Sequence, residues 1–580
     1  MCCRSEGWQR ASLWLRVWKR ESMTFALPLQ ESKTDCFRKG LRVRPGSPGI
    51  ARSPFLRGSV FMEVHVLFAS SRSVTLSLED GGRYYTRQSL DIYVNGALKL
   101  TTNKVITNVF GLKPGEKYSF AIVPQGKALE EAVGSVCVTT DTEGATLNVR
   151  DFGAKGDGVS DDTLYLQAAM DCCPADGRVL IPAGDYAFRY LTLKSDLTIC
   201  LEKGARLAAF TDADKLPILP GMVQTYDEKG EYNLASWEGN PLPCYMSLLY
   251  GIGAKNVFLY GEGVIDGCAG PDNWWSQRFV KKLPARPRLL FLNHCENVTV
   301  QGLTFTNSPS WNLHPYFSKN IAFYGTEVLN PAISPNTDGL DPESCENVKA
   351  IGMRFSLGDD CIAVKAGKIY MAKTYHVPCK NMEVRQCLLA NGHGAVTIGS
   401  EMAGGVIDLT VKDCLFSHTD RGLRIKTRRG RGKDAVVEGI LFENIEMDHV
   451  LTPIVVNCFY QCDPDGRTSY VQSRDVYPVD ERTPQVRSLV FKHLSCNNCH
   501  VQAAYIEGLP EKKIDEVILE DVHFSFAADA KEGIPAMSVG VKARKQGGFF
   551  AKNVKKLVLK NVTVEGAEGP TFLLGKEEEE

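Results

Sequence analysis

A chain of 580 residues with 67 Lys and Arg against 68 Asp and Glu has a formal net charge of -1 and length enough to bury a large core. That balance gives no reason to expect nucleic acid or an anionic membrane as a partner. No apolar run approaches the roughly 20 residues of a membrane-crossing helix, so no membrane association is expected. The 19 cysteines are scattered, many in apolar strand-like runs such as those around Cys200, Cys387 and Cys414. Buried reduced thiols fit this better than a disulfide framework, and a cytoplasmic location follows as the expectation.

Residues 1–61 are rich in Arg and Lys, lack a continuous apolar stretch that would make a signal peptide, and show no sustained periodicity. They read as a disordered extension, or as sequence upstream of a natural start at Met62; a basic interaction arm is the alternative. From Met62 to Asp141 the texture changes to short alternating strands: MEVHVLFAS, SVTLSLED, LDIYVNGALKL, NVFGLKPGEKYSFAIVPQG and SVCVTTD. Several strands within about 80 residues predict a small β-sandwich. The segment LKPGEKYSFAI, with Leu112, Pro114 and Tyr118, resembles the tyrosine corner of fibronectin type III modules.

Residues 145–570 repeat one unit: a polar turn with Asn or Asp, a short apolar strand, a bend and a second strand. ENVTVQGLTFTNSP (296–309), KNIAFYGTEVLNP (319–331), ENVKAIGMRFSLG (346–358) and KNMEVRQCLLANG (380–392) are four examples. The unit recurs at roughly 22–35 residues. It has neither helical periodicity nor a leucine consensus, so a right-handed parallel β-helix is expected, one coil per unit. DDTLYLQAAMDCC (161–173) is the one convincing helix, placed to cover the open end of the solenoid. Residues 571–580 read as an acidic tail.

The chemistry-bearing residues follow the same repeat. Asp338, Asp359 with Asp360, His393 and Arg424 are separated by about one coil each, which predicts one face lined over about four coils. Asn336 and Asp338, two apart, would share a strand face, as would Arg424 and Lys426. Asp359 and Asp360 can reach one groove only if the backbone bends, which Gly358 permits. Asp341, before Pro342, reads as a turn former. Arg421, Arg428, Arg429 and Arg431 would add a basic wall. A calcium site is the alternative for the acids. Acids beside a basic wall suit acid–base cleavage of an anionic polymer, and two stacked coils would give the ~6.5–9.5 Å between carboxyls typical of inverting glycosidases.

NTD (336–338), GDDC (358–361), GHG (392–394) and RIK (424–426), in this order, resemble the polygalacturonases of glycoside hydrolase family 28. RDFGAKGDGVSDDT (150–163) looks like the family's opening segment, and the resemblance covers roughly 148–566. It implies a metal-independent inverting hydrolase with no cofactor, acting on pectic polysaccharide or oligogalacturonide. It implies Asp359 as general acid, Asp338 and Asp360 as the pair that positions and deprotonates water, and His393 as support for the acid. It implies substrate contacts from Asn336, Arg424, Lys426, Tyr460 and His314. A fibronectin-like module ahead of this domain resembles the bacterial exo-acting members, and the stretch 216–247 would wall off one end of the groove.

Rival readings are a rhamnogalacturonan or xylogalacturonan hydrolase of the same family, a calcium-dependent pectate lyase, and a non-catalytic carbohydrate-binding solenoid. CNNCH (496–500) matches a haem-attachment pattern but falls in a repeat strand. GDGVSDD (156–162) is better explained as a glycine turn leading to an Asp N-cap than as a calcium loop.

Overall fold

The computed structural model describes residues 62–224, 231–280 and 282–575. The readings of 1–61 and of the Glu run at 577–580 lie outside the described residues.

Seven antiparallel strands between Glu63 and Thr139 form two small sheets, one of three strands and one of four. Leu76, Leu78, Leu90, Ile92, Phe120 and Ile122 alternate inward to fill the space between the sheets. LDIYVNGALKL, expected as one strand, is a hairpin. Asn95 and Gly96 both take positive φ (51° and 82°), the two-residue turn that matches strand twist. Tyr118 makes the expected corner: its hydroxyl accepts the Lys113 backbone N–H at 2.8 Å.

The rest of the described chain is a parallel β-helix. One sheet of 23 strands runs its length, and sheets of four and seven strands complete the coils. Each ENV or KN(I/M) turn puts its asparagine in the left-handed region: Asn256, Asn297, Asn320, Asn347 and Asn381 have φ between 56° and 59°. Their side chains hydrogen-bond from coil to coil, for example Asn320 to Asn297 at 3.0 Å and Asn347 to Asn320 at 2.9 Å. The repeated residue is therefore the one that tolerates this φ and can also satisfy its amide along a stack. Inside, Val298, Ile321, Val348, Met382 and Leu409 stack in register and are buried.

Helix Thr163–Cys172 closes the first coil through Leu166, Ala169 and Met170. Asp162 occupies its N-cap but does not cap it. Its carboxylate accepts the backbone N–H groups of Lys155 and Gly156 (2.7 and 2.9 Å), tying the preceding loop. Short helices Ile369–Tyr375 and Ser469–Gln472 were not expected; they lie in inserted loops. Phe572–Leu574 still pairs with the strand Gly547–Lys552, so the last coil runs into the stretch read as tail.

The sandwich sits on the solenoid's flank. Gly302, Gly325 and Gly352, one per successive coil, have positive φ and no side chain. Strand Ile106–Phe110 lies across them so closely that an added Cβ would meet Phe110, Asn108 and Ile106 at 2.3–2.5 Å. Gln301 seals the contact, accepting from Ser73 at 2.6 Å and donating to Thr75 at 2.8 Å. Cys496 and Cys499 are fully buried in the solenoid core, which leaves the haem-like motif no room for haem.

Candidate active site

Backbone register sets the site. Leu340, Ile362, Val396 and Leu423 occupy equivalent positions on four coils. Two residues earlier on each coil stand Asp338, Asp360, Gly394 and Arg421. The expected single column of acids, His393 and Arg424 is therefore not what forms. Side chains converge from different register positions, and glycine makes the room. A Cβ at Gly394 would lie 2.9 Å from Asp360 Oδ1 and 3.6 Å from Arg424 Cβ.

The chain bends at Gly358–Asp359, as the paired acids require. Gly358 is needed there because its Cβ would meet the carbonyls of Ser334 and Ala332 at 2.5 and 2.8 Å. Asp338, Asp359 and Asp360 each bring a carboxylate oxygen within 4.8 Å of the other two. Stacked coils are only about 4.8 Å apart, and these side chains lean together across adjacent coils.

Arg424 and Lys426 share one face of the strand Arg421–Lys426 while Leu423 and Ile425 enter the core. Arg424 Nη1 donates to Asp360 Oδ1 at 3.2 Å and Lys426 Nζ to Oδ2 at 2.8 Å. Burial acts to raise the Asp360 carboxyl, but Lys426 and Arg424 outweigh it and hold it well below the carboxylate range. Asp338 goes the other way: burial first, then the charges of Asp359 and Asp341, push it well above its ordinary value. Carboxyls this close titrate as a group, and the group retains protons that isolated aspartates would lose. His393 Nδ1 lies 3.3 Å from Asp359 Oδ1, and that hydrogen bond is the main reason its imidazole is raised. Tyr460, with Arg421, Arg424 and Lys426, lines a small pocket closed by Pro535–Met537. Lys426 Nζ is 5.7 Å from the Tyr460 ring centre.

Several expectations are corrected. Asn336 is not in an extended strand; it sits in a turn at φ 53° and accepts from Arg286 Nη2 at 2.7 Å. His314 has no exposed surface. It is enclosed by Phe291, Trp311 and Tyr316 with Nε2 3.0 Å from Glu343, so it supports the site from beneath and makes no direct substrate contact. Asp341 is no surface turn former. It is fully buried, 3.3 Å from Lys365 Nζ, and burial raises its carboxyl to about 7. The basic wall is largely neutralised within the protein: Arg428 and Arg431 pair with Asp463, and Arg429 with Glu511.

The sequence reading missed Lys365. It is buried, lies 3.6, 3.3 and 3.4 Å from Asp338, Asp341 and Glu401, and sits 4.3 Å above the Trp311 ring. A lysine inside the apolar run CIAVKAG was the available signal. The three aspartates could hold a hard cation, yet Asp338 already pairs with Lys365 and Asp360 with Arg424 and Lys426, and a bound ion would have to displace those pairs.

The sequence profile of Glycosyl hydrolases family 28 matches residues 178–534. A probable polygalacturonase of Vitis vinifera is 30% identical over 393 residues, 66% of this chain and 74% of that protein. An endo-polygalacturonase of Pectobacterium carotovorum is 30% identical over 52% of this chain and 72% of its own length. The structure of a Yersinia enterocolitica family 28 exopolygalacturonase superposes with a TM-score of 0.62 at 20% identity, covering 89% of this chain and 98% of that one, and so shares the fold.

Proposed function

The chain is a glycoside hydrolase belonging to glycosyl hydrolases family 28, and on that premise we propose that it cleaves α-1,4-galacturonosyl bonds of polygalacturonate and oligogalacturonides from chain ends, by metal-independent acid–base catalysis with inversion. The observation that carries the reading is three carboxylates within 4.8 Å of one another, one of them held ionised by Arg424 and Lys426. Asp359 is the partly exposed member, set against His393, and protonates the leaving oxygen. Asp338 and Asp360 hold and deprotonate water. Arg424 and Lys426 present cations to a galacturonate carboxylate beside Tyr460.

Support for exo action comes from the insertion at 216–247. Trp237 stacks on Trp311 with ring centres 5.8 Å apart, and the Gly239 carbonyl accepts from Lys368 N at 2.9 Å. Gly239 also packs against Glu401, which pairs with Lys365 beside Asp338, and we read this loop as the end wall of the groove. Sixteen free cysteines among the described residues favour a reducing compartment, and we place the enzyme in the cytoplasm. Cell fractionation that found it mainly outside would defeat that placement.

A second reading is retention, whose carboxyl pairs lie only ~5–5.5 Å apart, since Asp338, Asp359 and Asp360 crowd one spot. Against it, both candidate nucleophiles are compromised, Asp360 by its two ion pairs and Asp338 by burial. Proton NMR of the first product decides: β-anomer means inversion and α-anomer retention. The product profile from polygalacturonate, run once with a chelator and once with calcium added, tests the rest. Monomer or dimer from the earliest points is expected. A ladder of oligomers would make the enzyme endo-acting, and unsaturated products that need calcium would overturn the hydrolase mechanism.

A further inference from the structure

We infer that Lys365 is a positioning residue that counters the burial and like charges at Asp338 and so eases its ionisation for catalysis, with Asp341 and Glu401 as the acids that compete for its charge. The inference rests on the reading of Asp338 as part of the water-activating pair. Lys365 belongs to the strand-like segment that continues Ile362–Val364, and it stands in register with Glu343 on the coil before it. It is 3% exposed, so its ammonium has lost its water, and its surroundings are three carboxylates and the face of Trp311. Burial alone would strip its proton. Glu401, Asp341 and Asp338 outweigh burial and hold it charged.

Among the described residues, five charged groups dominate the surroundings of Asp338. Asp359 and Asp360 approach from the next coil, Asp341 from its own segment and Lys365 from the floor. Arg286 adds a further positive field from two coils earlier. Three of these five are acids. Asp360 is already matched by Arg424 and Lys426, so among the described residues Lys365 is the one ammonium in ion-pair contact with Asp338. Asp341 takes no hydrogen bond from the protein on either carboxylate oxygen, although it pairs with Lys365 by charge. It therefore competes with Asp338 for a single cation. Glu401 does the same from the loop after Gly399, where the Ser400 hydroxyl and Lys365 both donate to it. No member of this set needs to meet the sugar for its charge to be felt at Asp338.

The test uses the full chain and two substitutions of opposite sign. Lys365→Met keeps volume and removes the cation, so Asp338 becomes harder to ionise. Losing an opposite charge at this range moves a carboxyl up by about 1–3 pH units. The acidic limb of kcat/KM should rise by that amount, costing about tenfold in rate at pH 5 for every unit moved. Asp341→Asn removes an acid that ionises at about 7, so the same limb should move down where the two acids titrate together. The double variant should return toward the parent. Limbs that stay put while activity falls by a constant factor at every pH would overturn the inference, as would two shifts of the same sign. If Lys365→Met fails to fold, the downward shift in Asp341→Asn still decides. Infrared titration of protonated carboxyl groups without substrate gives a readout independent of activity: Lys365→Met should retain an extra protonated carboxyl at pH 5–6, and its absence also overturns the inference. A chain that shows this band but leaves polygalacturonate intact would instead sink the substrate reading.

Discussion

Asp360 carries two loads, and replacing it with Asn should separate them. Its carboxylate is 1% exposed and is shared by Arg424 and Lys426, whose side chains are 8% and 10% exposed. Asp360→Asn keeps shape and removes the charge, stranding two nearly dry cations. Removing one partner of a buried pair costs about 3–5 kcal/mol, and two cations on one acid put this site at the upper end. Activity should fall by about 10²–10⁴ because the water loses one of its two bases. The pH dependence has a definite sign. Asp360 is held below its unfolded value of about 3.9, so its contribution is complete above that pH and is lost only as pH falls through the lower folded value. Urea denaturation followed by tryptophan fluorescence should give a gap between parent and variant that is constant from pH 5 to 7 and narrows below about pH 4. Asp360→Asn combined with Arg424→Met and Lys426→Met should recover most of the stability and none of the activity, since a whole buried ion cluster can often be replaced by apolar groups at little cost. A gap under about 1 kcal/mol at pH 7, or one that widens on acidification, would refute the reasoning.

Asp359→Asn should cut kcat by about 10²–10⁴ with little change in melting, because its side chain is 20% exposed and makes no buried ion pair with Lys or Arg. A melting change as large as that of Asp360→Asn would mean the acid is structural. Gly352→Ala should destabilise by more than about 1 kcal/mol, since φ is +65° and the new Cβ would lie 2.3 Å from Ile106 Cβ. Activity below the melting point should be unaffected; a calorimetric trace unchanged by the substitution would show that the sandwich seats by other contacts.

Local patterns were readable wherever one residue answers to one requirement. The ENV turns announced coils because Asn tolerates positive φ and stacks its amide, and strand alternation placed Arg424 and Lys426 together on one face. The hairpin at Asn95–Gly96 was also legible, yet reading through it as one strand hid a turn that the dipeptide signals by itself. His314, Asn336 and Asp341 were harder. Each is polar and close in sequence to the site, and polarity near a motif does not tell a groove-facing side chain from one turned beneath it. Burial decides that, and burial depends on which apolar groups arrive from other coils, here Phe291, Trp311 and Tyr316 around His314.

By itself, the sequence determined that the chain is a stack of short strands with an antiparallel module ahead of it, and it singled out Asp338, Asp359, Asp360, Arg424 and Lys426 as the candidate site. Repeats and adjacent-residue alternation are short-range properties, written in consecutive letters. Only the tertiary structure decided how close the carboxylates come, which arginines are already neutralised, and that Lys365 stands under Asp338. Those outcomes depend on the register of coils dozens of residues apart and on the loss of water around charges. A lysine in an apolar run looks like an error until the stack brings three acids to it.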